Sequence, residues 1–78
     1  MDLGERLAQQ ALRAAADDNV DVELAAGDVL EVAEADQEAL ELARERAARQ
    51  VADHPDDAVA ARAAKILDTA LQVGYGGQ

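Results

Sequence analysis

The chain has 78 residues, of which 20 are alanine and only 17 are large aliphatics, with no Phe, Trp or Cys; that is enough for one small domain around a thin core. The lack of cysteine excludes a disulfide framework, a thiolate zinc site and a Cys nucleophile. A net charge of −10, from 7 basic against 17 acidic residues, argues against nucleic acid or an anionic membrane as partner and favours a basic protein surface.

No apolar run is long enough to cross a bilayer. The opening Met1-Asp2-Leu3-Gly4-Glu5 also lacks the order of a signal peptide, so a cytoplasmic location is expected, with the compartment otherwise open. The bias to Arg over Lys and to Asp over Glu is compositional and points to no chemistry.

Residues 2–16 form the first amphipathic helix in this reading. Leu3, Leu7, Ala8, Ala11, Leu12 and Ala15 share one face at 3.6 residues per turn. Asp2 caps the start, with Glu5 reaching back as in a capping box. Asp17-Asp18-Asn19 stops the helix, because these side chains compete for backbone hydrogen bonds outside the helical region.

The next stretch admits two parses. Val20, Val22 and Leu24 alternate with Asp21 and Glu23, the period of a half-buried strand. A loop Ala25-Ala26-Gly27, with Gly27 left-handed, then returns a second strand that sets Val22 opposite Leu30 and Val20 opposite Val32. The expected fold is therefore α+β: helix, β-hairpin, helix, helix. The alternative is an all-α bundle with one long helix over 28–53, started at Asp28 with Glu31 closing a capping box.

From Asp36 the period is helical, with Leu40, Ala43, Ala47 and Val51 on one face. Glu41 with Arg44 and Glu45 with Arg49 make exposed pairs one turn apart, and His54-Pro55 ends the segment. Asp56 and Asp57 open the last helix. Its stripe is Val59, Ala63, Ile66, Leu67, Ala70 and Leu71, and Gly74 closes it. A single domain over 1–73 and a flexible Gly-rich tail over 74–78 follow. A hairpin edge or a helix face left bare would let the chain pair as a homodimer.

Three groups of residues invite chemistry. His54 is the single histidine. With no Ser, no Cys and no second His it has no partners for a catalytic set or a tight metal site, and it reads as a turn residue near a helix C-terminus. Asp17, Asn19, Asp21, Glu23 and Asp28 hold positions 1, 3, 5, 7 and 12 of a calcium-loop spacing. Over those 12 residues the chain resembles an EF-hand or dockerin loop, which implies a calcium-binding module. At position 6, however, Val22 stands where that turn needs glycine. The calcium loop and the hairpin are mutually exclusive.

The chain ends Gly74-Tyr75-Gly76-Gly77-Gln78, where paired glycines let an extended strand enter a narrow enzyme cleft. The terminal Gly76-Gly77-Gln78 is similar to the end of prokaryotic ubiquitin-like protein (Pup). That resemblance covers three residues and implies a modifier joined to a lysine through Gln78 after deamidation. The rest departs from that family, which is largely disordered and poor in apolar residues.

The leading expectation is a non-catalytic acidic miniprotein, natural or designed, that acts by protein–protein interaction or serves as a scaffold. Its caps, stripes and turn residues agree with one another at every level. No cofactor is expected.

Overall fold

The structure, a computed structural model, describes residues 2–34 and 36–76. Four helices follow one another: α1 (Leu3–Ala15), α2 (Val22–Ala33), α3 (Gln37–Asp53) and α4 (Ala58–Leu71), the last running into a π-helical turn, Gln72–Gly76. The described residues are 82% helical, with no strand among them, and form a small all-helical bundle. The expected α+β fold with its hairpin is therefore wrong. The long helix over 28–53 does not form either, because the chain breaks between α2 and α3.

The reason lies in two competing periods. Val20, Val22 and Leu24 alternate over only five residues, whereas Val22, Ala25, Ala26, Val29 and Ala33 sit at helical offsets over twelve. The longer pattern buries more: Ala25, Ala26, Val29 and Ala33 are buried and Val22 is half-buried. Asp21 starts this helix. Its Oδ1 accepts from the backbone N–H of Glu23 at 3.0 Å and of Leu24 at 3.3 Å, the N-cap geometry that satisfies the first orphan donors. Gly27, expected to be left-handed in a loop, is an ordinary helical residue, and no glycine has positive φ among those described.

The left-handed residue is instead Glu34, at φ 50 and ψ 49. It ends α2, its N–H donating to the carbonyl of Leu30 at 3.2 Å. Asp36 then caps α3 by accepting from Ala39 N at 3.0 Å. Three other ends follow the sequence reading, whereas Gly74, expected to close α4, lies within the π-helical turn. Asp2 accepts from Glu5 N at 2.7 Å to cap α1, and Asp57 accepts from Ala60 N at 3.0 Å to cap α4. His54 is the C-cap of α3 immediately before Pro55.

The three helical stripes are buried as expected. Leu7, Leu40, Ile66 and Leu67 are fully enclosed, with Ala11, Ala15, Ala43, Ala63 and Ala70 between them. Alanine at the seams lets helix axes come close, and at one point the chain needs still less bulk. A Cβ added to the buried Gly4 would lie 3.2 Å from Leu42 Cβ and 3.4 Å from the Ala39 carbonyl oxygen, so α1 and α3 are near their closest approach there. Helix α4 packs against all three others, while α2 and α3 scarcely meet. The radius of gyration, 11.1 Å, is close to the roughly 11.5 Å expected of a closed domain of this length.

Candidate interaction surface

Helix α2 exposes one side fully because α1 and α4 cover only the other. Glu23, Leu24, Gly27, Asp28 and Glu31 are exposed along that outer side. Leu24 is the most open large aliphatic of the helix, at 71% of its surface. The hairpin reading placed Leu24 inside, so sequence reasoning missed this feature.

Charge is distributed unevenly around this helix. Between Arg13 and Arg44 the sequence holds ten acids and no base, and the remainder of the chain is neutral by formal count. The whole net charge therefore belongs to α2, its two flanking turns and the first turns of α3. The signal is visible in the sequence as a gap between consecutive basic residues.

Several of these ten carboxylates have local tasks. Asp17 accepts from Asn19 N at 2.9 Å, Asp21 and Asp36 are the N-caps, and Asp18 lies 3.6 Å from Arg62 Nη1. Glu41 accepts from Gln37 Nε2 at 3.3 Å. Glu23, Asp28, Glu31, Glu34 and Glu38 make no ion pair with any described residue. The other ion pairs, Arg44 with Asp68 at 3.0 Å and Arg49 with Glu45 at 3.5 Å, leave the acidic side untouched.

The residues of the calcium-loop spacing are not gathered about a common point. Asp17 and Asp21 turn Oδ1 toward backbone amides, Glu23 lies in the first turn of α2, and Asp28 is about one and a half turns further along the same helix. Helical backbone from Val22 onward replaces the loop that residues 22–28 would have to form. Among the described residues, no group of three or more His, Cys, Asp or Glu is arranged to hold a metal ion.

His54 is exposed, on a wide groove of about 590 Å³ that it shares with Leu42, Arg46, Arg49 and Asp53. A half-open hollow of about 170 Å³ lies among α1, α3 and α4, lined by Ala8, Leu12, Ala47, Ala60 and Arg46 among others. That volume is below the roughly 300–1,000 Å³ of small-molecule sites. Of the proposed tail handle, Gly76 ends the π-helical turn, and Gly77 and Gln78 lie outside the described residues. At Gly74 an added Cβ would stand 2.6 Å from Leu30 Cδ2, so this turn lies directly on α2. No helix among the described residues is long and apolar enough to cross a membrane.

No family model matches the chain, and no curated protein or solved structure matches it.

Proposed function

We propose that this protein is a non-catalytic acidic interaction module whose partner is a basic protein surface. One observation carries the reading: ten carboxylates lie between Arg13 and Arg44 without an intervening base, and they surround a helix with an exposed side. A field of one sign raises the association rate of a cationic partner and rejects anionic ones. Exposed carboxylates on a rigid helix also serve such a partner better than a mobile acidic tail, because less side-chain and backbone freedom is lost on binding.

The direct test is calorimetric titration with a lysine-rich peptide at low salt and again near physiological ionic strength, where the screening length is about 8 Å. The expected result is binding that weakens with salt, together with no binding of a glutamate-rich peptide of the same length. Equal behaviour of the two peptides would remove the proposal.

A further inference from the structure

We infer that the outer side of α2 is a docking face for a cationic amphipathic helix of a partner protein, with Leu24 as its apolar anchor and Gly27 as the point of closest approach. The inference rests on the reading of a basic partner and adds where that partner sits and in what form.

Gly27 is the starting observation. It lies in the middle of α2, where glycine weakens a helix relative to alanine. Its φ is not positive, and a Cβ added there would meet nothing within 4 Å. Neither backbone conformation nor packing inside the molecule requires a glycine. Missing bulk on an exposed helix side is what a second backbone needs in order to come close. Leu24, three residues earlier, lies on the same side and is 71% exposed. Together they form a short apolar patch with a dip beside it.

Charge selects the occupant. Glu23, Asp28 and Glu31 border the patch, Asp21 stands at the start of the helix, and no base occurs in α2. A neutral or acidic helix would carry its own carboxylates into this field, and like charges brought together at a contact disfavour the complex. A second copy of this chain would bring the same ten acids. A helix with Leu, Ile or Val at i, i+3 or i+4 and i+7, flanked by Lys or Arg, meets both requirements: the apolar stripe covers Leu24 and the dip at Gly27, and the cations reach the three carboxylates.

The experiment follows amide shifts of the full chain by NMR during titration with a Lys/Leu peptide of about 18 residues, long enough to sustain a helix. It is repeated with a peptide of the same composition whose leucines are scattered around the helix. The amphipathic peptide should perturb residues 20–31 most, and the scattered peptide should bind at least tenfold more weakly. Gly27→Gln places a good helix former at an open position, so circular dichroism should report an intact fold while affinity for the amphipathic peptide falls at least tenfold. Leu24→Ala should reduce it similarly.

If both peptides bind equally, or the shifts spread over Asp17, Glu38 and Glu41 without a maximum on α2, the docking face is overturned while a basic partner stands. If neither peptide binds, both readings fail. Unchanged affinity in Gly27→Gln also overturns the docking geometry.

Discussion

Arg62 on α4 donates from Nη1 to the carbonyl oxygen of Ala15 at 2.6 Å, joining residues 47 positions apart. Ala15 is the last residue of α1, so its carbonyl has no partner within the helix. A guanidinium there meets both the orphan acceptor and the negative end of the helix. The same nitrogen lies 3.4 Å from the Asp17 carbonyl and 3.6 Å from the Asp18 carboxylate. The turn that leads into α2 is thereby tied to α4 before α2 begins.

Removing the donor should therefore loosen that corner. Arg62→Met keeps the apolar stem and should lower unfolding free energy by about 1.5–3 kcal/mol, the range for hydrogen bonds to charged groups. Asp18, 92% exposed at its side chain, contributes little to stability, so Asp18→Asn should leave the urea midpoint in place. Both midpoints are read at unchanged m. Equal losses in the two variants would mean that the ion pair, not the carbonyl contact, holds the turn.

Asp21 fixes the first turn of α2. With both Glu23 N and Leu24 N bonded to one carboxylate oxygen, Asp21→Ala should cost about 1 kcal/mol, and Asp21→Asn much less because the amide oxygen still accepts. Hydrogen exchange should accelerate first at residues 23–26. The same capping geometry predicts that millimolar calcium leaves the melting temperature unchanged. A rise with calcium, absent with magnesium, would instead support the calcium-loop spacing.

How far the sequence could be read depended on the length of each pattern. Three stripes recur over ten or more residues, and the bundle buries all three, from Leu7 through Leu40 to Ile66 and Leu67. Asp2, Asp36 and Asp57 mark helix starts because a carboxylate ahead of an apolar stripe has one obvious use. The stretch from Val20 to Val32 misled because the valine alternation over five residues stood out, whereas the helical stripe that begins at Val22 is built largely from alanine. Alanine at 25, 26 and 33 gives a faint hydropathy signal yet closes tightly against α1 and α4. Gly27 reinforced the error, as a glycine between apolar runs ordinarily marks a turn. The candidate surface was legible in charge but not in shape, since Leu24 could be known to face outward only once the period was known.

The core tolerates little loss. Leu40 is fully buried on α3, and Leu40→Ala should remove about 2–5 kcal/mol. Total stability at this length is expected to be about 4–12 kcal/mol. Much of the cooperative transition should therefore be lost, with a broadened thermal melt by circular dichroism. A loss under 1 kcal/mol would indicate that neighbouring side chains collapse into the space, which an alanine-rich surround makes difficult.

The helix ends also contain a mismatch between residue and conformation. Glu34 occupies the left-handed region at φ 50, where an L residue with a side chain is disfavoured by roughly 1–2 kcal/mol and glycine is not. Gly27, seven positions earlier, lies in helical backbone with open space beyond its Cα. Exchanging the two demands should stabilise the fold from both sides. Glu34→Gly relieves the cap and removes one of ten like charges, while Gly27→Ala restricts the unfolded chain and supports the helix. Each should raise unfolding free energy by about 0.5–1 kcal/mol. Being two turns apart without shared contacts, they should add in the double variant. Chemical denaturation of the two single variants and the pair measures this. A destabilised Gly27→Ala would mean that something in the folded molecule already occupies the outer side of α2. A destabilised Glu34→Gly would mean that the Glu34 side chain holds the α2–α3 turn more strongly than its backbone conformation opposes it.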